Sequence, residues 1–307
     1  MSFSRCFGSV VLAVSVLSAI GAEPRCPANV TSLPLRLIQS SLIVVSVQIN
    51  SSGPYDFVVD TGGQISTVET SLAAELHLKV EGTTGSAGVE TFSRSEFVHL
   101  GLLQAGGRSV TDSLAVIGDI SDLRAADPRI RGILGDDFLE HFDFLIDNRR
   151  KLLCLDDSDS LAASIKSTHI GLAVPRGGVG DLPFTRPLII AVPTPGSKSP
   201  PMLLRLDSGS NAPVLYTAAA ALPFSERLER ADPVLTRVTF GGKQGFQILP
   251  AIDLRISPHV IAKVSFAVPL NSFGKGPTPR EDGVLPTMAF QRVFISAKGQ
   301  YATVDSW

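Results

Sequence analysis

Residues 57–68 read FVVDTGGQISTV, and residues 204–215 read LRLDSGSNAPVL. Each is an apolar run ending in Asp, followed by Thr or Ser, then Gly, then a small or polar stretch that returns to apolar residues. The two aspartates lie 207 − 60 = 147 positions apart. A second pair of stretches follows in the same order. GILGDDFLEHFDFLI occupies 132–146 and GVLPTMAFQRVFISA occupies 283–297, an offset of 283 − 132 = 151. Two motifs that recur in order at nearly constant spacing indicate a chain written twice.

The flanking residues repeat the same plan. Residues 43–49 (IVVSVQI) form a β-branched run, SSGPY reads as a turn, and the run into Asp60 follows. In the second copy PLIIAV (187–192) is followed by the turn-rich TPGSKSPP and then MLLRL (202–206) into Asp207. SLAAELHL (71–78) predicts a short helix with Ser71 as N-cap, and residues 217–222 are its counterpart. The polar stretch DDSDSLAASIKST (156–168) reads as a linker. These readings divide the chain into a first lobe at 31–157, a linker at 158–168 and a second lobe at 169–307.

Composition supports a β-rich folded chain. It is 44% hydrophobic and 18% charged, with 27 Gly and 21 Pro, so it can bury a sizeable core between frequent turns. The formal net charge of −2 includes no long basic run, which argues against a nucleic-acid or anionic-membrane surface. At the start, Arg5 precedes an uncharged run, FGSVVLAVSVLSAIGA (7–22), that ends in small residues. Residues 1–22 therefore read as a signal peptide, being shorter than the roughly 20 apolar residues of a spanning helix. The competing reading is an uncleaved anchor. Signal cleavage predicts a protein secreted or periplasmic and free of the membrane, where Cys26 and Cys154 are either a disulfide joining the two ends of the first lobe or two free thiols.

An isolated Asp-Thr-Gly or Asp-Ser-Gly is compatible with a plain turn, in which Asp accepts backbone hydrogen bonds and Gly takes a left-handed conformation. Duplication behind an apolar strand points instead to a pair of carboxylates. Peptide hydrolysis without a covalent intermediate needs one group to activate water and another to protonate the carbonyl or amine. Two carboxylates a few ångströms apart share one proton and can do both. Asp60 and Asp207 are the candidate catalytic residues. The hydroxyls of Thr61 and Ser208 would anchor the two loops to each other, and Gly62 and Gly209 would let backbone N–H groups approach the carboxylates. The sequence holds no Gly-x-Ser-x-Gly elbow, His-Glu-x-x-His pair or phosphate loop. His77 and His141 are expected on helices, and Asp136 and Asp137 are expected as helix N-terminal acids.

These motifs resemble those of the pepsin/retropepsin aspartic peptidases, and bacterial retropepsin-like proteins in particular. FVVDTGGQISTV is similar to that family's catalytic loop, and GILGDDFLEHFDFLIDNRRKLLCL to its hydrophobic-hydrophobic-Gly segment. The resemblance implies an all-β, bilobal acid-protease fold of two pseudo-symmetric lobes with short helices. It implies packing behind the loops by Ile133, Leu134 and Gly135, and in the second lobe by Val284 and Leu285. It also implies a flap at GTTGSAG (82–88) with the following hairpin strand, and a second-lobe counterpart at 239–243, although no residue matches the pepsin flap tyrosine. Two positions depart from the family: Gly63 lacks a hydroxyl, and Pro286 stands where a Gly is expected. Proline has no N–H, so altered packing behind Asp207 is expected there. The implied activity is that of a monomeric endopeptidase acting on peptide or protein substrates, with no cofactor and no metal. The alternatives are a peptide- or glycan-binding protein on the same scaffold, and a homodimer pairing two copies of Asp60.

Overall fold

The structure is a computed structural model that describes residues 26–27, 29–88, 91–175, 187–194, 200–216, 232–239, 242–256, 258–270 and 280–307. The expected signal segment, the 217–222 helix and the 240–241 tip lie outside the described residues. The described chain is mostly β with short helices. One eight-stranded sheet is drawn wholly from residues 36–134 and a seven-stranded one from residues 189–286. A six-stranded sheet takes strands from both parts of the chain. The eight-stranded sheet curls until the Leu42–Ile49 strand meets the end of Thr91–Ala105, pairing Val47 with Ala105 and Ile49 with Leu103. That closure pairs two strand ends that the terminal strands of the sheet leave uncovered.

The internal repeat is visible in strand register. The Ser52–Val59 strand runs parallel to Ile130–Leu134, pairing Phe57 with Gly132 and Val59 with Leu134. The Met202–Asp207 strand runs parallel to Gly283–Pro286, pairing Leu204 with Gly283 and Leu206 with Leu285. In both copies an antiparallel strand then lies on the Gly: Val68 opposite Gly132, and Leu215 opposite Gly283. These glycines are obligatory on steric grounds. A Cβ on Gly132 would come within 2.5 Å of the Thr67 carbonyl oxygen, and one on Gly283 within 2.0 Å of that of Val214. No real Cβ contact is so short, so any larger residue would push the crossing strand off the sheet.

The two parts are joined through the six-stranded sheet. Asp143–Asp147 pairs antiparallel with Arg292–Ser296, and Leu145 sits opposite Phe294. Under the offset of this segment Phe144 lies opposite its own equivalent, Ile295, since 295 − 144 = 151. One contiguous apolar core runs behind this sheet and includes Phe57, Val59, Phe138, Phe144, Leu204, Leu206, Phe290 and Val293.

Several local expectations are corrected. The turn after residue 49 is Asn50-Ser51, both at positive φ, and SSGPY is already strand from Ser52 onward. The short helix is Thr70–Glu75, and its N-cap is Glu69, whose carboxylate accepts from the Leu72 N–H. The Ser71 hydroxyl supports that cap by donating to the same carboxylate oxygen. His77 and His141 lie beyond helix ends instead of on helices. The stretch read as linker holds a helix, Ser160–Ser164, which buries Leu161 against Leu145, Cys154 and Phe294.

Cys26 and Cys154 form a disulfide, with a sequence separation of 128. It fixes the chain ahead of the Thr31–Pro34 strand to the Leu152–Asp156 strand, with which Thr31–Pro34 pairs. A loop of that length loses enough unfolded-state entropy for a stabilisation of up to about 5 kcal/mol. Cys26→Ala is expected to lower the free energy of unfolding by about 2–5 kcal/mol. Urea denaturation under non-reducing conditions, compared with wild type, checks this.

Candidate active site

Asp60 and Asp207 end the equivalent strands of the two copies, and the structure brings them face to face. Hydroxyl exchange between the neighbouring residues produces this. Thr61 Oγ1 donates to the Leu206 carbonyl at 2.8 Å and accepts from the Ser208 N–H at 3.0 Å. Ser208 Oγ donates to the Val59 carbonyl at 2.7 Å and accepts from the Thr61 N–H at 3.1 Å. Both side chains are 1% exposed, so all four bonds form away from water, where leaving any partner unmade is costly. The bonds span sequence separations of 145 to 149, so they tie the two turns together directly.

The turns then shape the carboxylates. Asp60 Oδ1 accepts from the N–H groups of Gly62 at 2.8 Å and Gly63 at 3.1 Å. Asp207 Oδ1 accepts from Gly209 at 2.8 Å and Ser210 at 3.0 Å. The absence of a hydroxyl at Gly63 costs neither bond, since only its backbone takes part. Each glycine also faces the opposite acid. A Cβ on Gly62 would lie 2.6 Å from Asp207 Oδ2, and one on Gly209 would lie 2.4 Å from Asp60 Oδ1. Any side chain there would drive the acids apart. Desolvation, followed by repulsion from Asp60, pushes the Asp207 carboxyl up to about 8. Repulsion of this kind favours a pair that shares a single proton.

Ile130–Leu134 and Gly283–Pro286 lie parallel to the strands that lead into Asp60 and Asp207. The Asp60 N–H donates to the Leu134 carbonyl at 2.9 Å, and Leu134 and Leu285 are fully buried in the core. Ile133 packs with Val58, and Val284 packs with Val214 and Phe246. Gly135 has no room for a side chain, since a Cβ would lie 2.9 Å from the Gly63 carbonyl oxygen. Pro286 does not disturb the second copy as expected, because Asp207 and Pro286 stay in register on parallel strands. In the first copy the Gly135 N–H donates to Ser66 Oγ. The residue equivalent to Ser66 is 66 + 147 = 213, which is Pro213. Donor and acceptor are thus lost together, and Pro286 leaves no orphan.

Sequence reasoning missed a buried polar cluster that supports only the first turn. Asp136 and Asp137 open the helix Asp136–Leu139 as expected, but both are buried. Asp137 Oδ1 accepts from the Ser66 N–H and Oγ, and Oδ2 accepts from Ser113 Oγ. The Asp136 N–H donates to the Gly63 carbonyl at 2.8 Å. Burial, with Asp60 and Asp137 adding to it and Arg205 opposing, pushes the Asp136 carboxyl well up. Arg205 is the second missed residue: its Nη1 donates to the Gly62 carbonyl at 2.7 Å and its Nη2 pairs with Glu281 at 2.8 Å. An arginine inside an otherwise apolar strand, LLRLD, was the available signal. Among the described residues, no group of three or more His, Cys, Asp or Glu is arranged to hold a metal ion.

Residues 45–138 match the family model described as "Aspartyl protease". That stretch, about a third of the chain, is similar to the aspartyl proteases. That segment carries Asp60, Thr61, Gly62 and the whole hydrophobic-hydrophobic-Gly motif of the first copy. Among solved structures the chain is similar to a retropepsin-like aspartic protease from Rickettsia conorii, at 21% identity and a TM-score of 0.32, covering 41% of this chain and 90% of that one. No curated protein matches.

Two outcomes are expected. Ser208→Ala strands the Thr61 N–H and the Val59 carbonyl in the interior and is expected to cost about 2–4 kcal/mol, whereas Thr61→Ser, which keeps the hydroxyl, is expected to cost about 1 kcal/mol or less. Urea denaturation of both variants decides. The second concerns Asp137, whose carboxyl burial raises to about 6, above its ordinary value of 3.8. The folded state then binds more protons than the unfolded one. Its contribution to stability is full below pH about 4 and falls as pH rises to about 6, by roughly 3 kcal/mol in all. Asp137→Asn should flatten the melting temperature against pH over that window, as thermal denaturation in a buffer series would show.

Proposed function

We propose that this protein is an aspartic endopeptidase, folded as two pseudo-symmetric β lobes, that hydrolyses peptide bonds with a water activated between Asp60 and Asp207. The observation that carries the reading is the reciprocal Thr61/Ser208 hydrogen bonding, which holds two Asp-hydroxyl-Gly turns face to face within one chain. With one proton on the pair, the ionised carboxylate removes a proton from water as its oxygen attacks the peptide carbonyl, and the protonated carboxyl gives its proton to the carbonyl oxygen. Collapse of the tetrahedral gem-diol breaks the C–N bond: the carboxyl that took the water's proton delivers it to the leaving amine, and one gem-diol hydroxyl returns a proton to the other carboxylate as the carbonyl re-forms. The pair ends with one proton, as it began. The step needs no group beyond the two carboxylates and water.

Both acids come from one chain, which supports action as a monomer over pairing of two Asp60 residues across a homodimer. The accommodation of Pro286 removes the feature that favoured a binding protein without catalysis. The Cys26–Cys154 disulfide supports a secreted or periplasmic site of action after removal of residues 1–22, since such bonds persist in oxidising compartments.

Purified protein lacking residues 1–22 is expected to cleave a diverse peptide mixture between acid and neutral pH. Asp60→Asn and Asp207→Asn should each reduce kcat/KM by at least about a thousandfold. Cleavage that survives in both single variants would overturn the mechanism, and loss in Asp60→Asn alone would assign the activity to a homodimer.

A further inference from the structure

The two copies differ sharply at one place beside the paired acids. Val58 in the first copy packs with Ile130 in an apolar cluster with Val44 and Ile133. The equivalent of Val58 is 58 + 147 = 205, Arg205, and the equivalent of Ile130 is 130 + 151 = 281, Glu281. A hydrocarbon pair on one side has become an ion pair on the other, with Nη2 to Oε1 at 2.8 Å and side-chain exposures of 14% and 8%. The first copy shows that the fold does not need these charges. A buried ion pair also gains little stability over an apolar pair of similar volume. Its position gives it a use.

Arg205 meets the first loop at Gly62, and three interactions converge on that residue. The Gly62 N–H donates to Asp60 Oδ1, the residue leaves no room for a Cβ beside the Asp207 carboxylate, and its carbonyl accepts from Arg205 Nη1. The residue equivalent to Arg205 in the first copy, Val58, can offer no such bond to the second loop. The charged and titratable groups around the guanidinium are Glu281, Tyr216, Asp136 and Asp207, and Asp60 acts on both of the latter. Arg205 therefore places a cation among the acids of the site, at the Asp60 turn.

We propose that Arg205 is a positioning residue for the Asp60/Asp207 pair: held by Glu281, it fixes the Gly62 carbonyl and so the turn that sets Asp60 against Asp207, and its charge extends the singly protonated state of the pair to lower pH. The inference rests on the reading of these two residues as the working pair. An ionised carboxylate beside a fixed cation is favoured over its protonated form, and a cation approached through a backbone carbonyl acts on geometry and charge together. It also predicts asymmetry, because the carbonyl locked by Arg205 belongs to the Asp60 turn.

The test reads the acids directly. Protein labelled with ¹³C at the aspartate carboxyls is titrated by NMR as wild type, as Arg205→Val with Glu281→Ile, and as Glu281→Gln. The double variant installs the apolar pair that the first copy already carries, so it leaves no buried charge unpaired. Its lower transition of the pair, which bounds the singly protonated state from below, is expected about one pH unit higher, and its kcat at its own optimum about tenfold lower with KM within about twofold. Glu281→Gln, which removes an opposing anion and leaves Arg205 on Gly62, should move the same transition down. Should the double variant not fold, that downward shift alone carries the test. Transitions that coincide with wild type in the folded variants would overturn the proposal. Absence of peptide cleavage by the wild type, with the shifts present, would instead strike the peptidase reading and leave the role of Arg205 standing.

Discussion

The structure depends on four hydrogen bonds made by two buried hydroxyls. Thr61 and Ser208 each give a proton to the strand of the other copy and each take one from the backbone of the other turn. Because donor and acceptor roles are filled on both sides, neither residue is left with an unmet polar group, and burial makes the geometry strict. Two carboxylates that repel one another are brought together as a consequence. The repulsion is borne by the interface, and the result is a pair that cannot easily lose its second proton.

Around this symmetric centre the support is asymmetric. Behind Asp60 lies a polar bracket in which Asp137 gathers Ser66 and Ser113, and Ser66 in turn accepts from the Gly135 N–H. Behind Asp207 the equivalent residues are Pro213, Pro286 and, at 137 + 151, Met288. The polar bracket has been lost there as a set, which is why proline at 286 is harmless. A change at one of these positions alone would have left an orphaned donor or acceptor. The second copy instead carries its polar group on the other side of the strand, as Arg205 with Glu281. Each loop is held, but by different chemistry, and the two acids consequently differ in surroundings.

Duplication also explains which parts of the molecule tolerate no variation. The strand behind each Asp must run parallel to a partner that carries a Gly, because the next strand crosses where a Cβ would stand. The glycine after each hydroxyl residue is needed for a different reason, as it touches the opposite carboxylate. Four glycines, at 62, 132, 209 and 283, are thus fixed by close approach and not by turn conformation.

The sequence by itself determined the duplication, the β-rich character, the paired aspartates, the hydroxyls that join them and the segments behind them. These were legible because each is a local pattern, an apolar run ending in a special tripeptide, repeated at a fixed offset. Boundaries set by side-chain partners were not legible. The helix cap passed to Glu69 because its carboxylate reaches the Leu72 N–H. The disulfide needed the spatial adjacency of residues that are 128 positions apart. Only the tertiary structure decided that Pro286 is neutral, that Asp137 is a buried bracket and that Arg205 reaches Gly62. Each of these depends on what lies opposite in the other copy or across a sheet, and a linear pattern holds no record of which donor faces which acceptor.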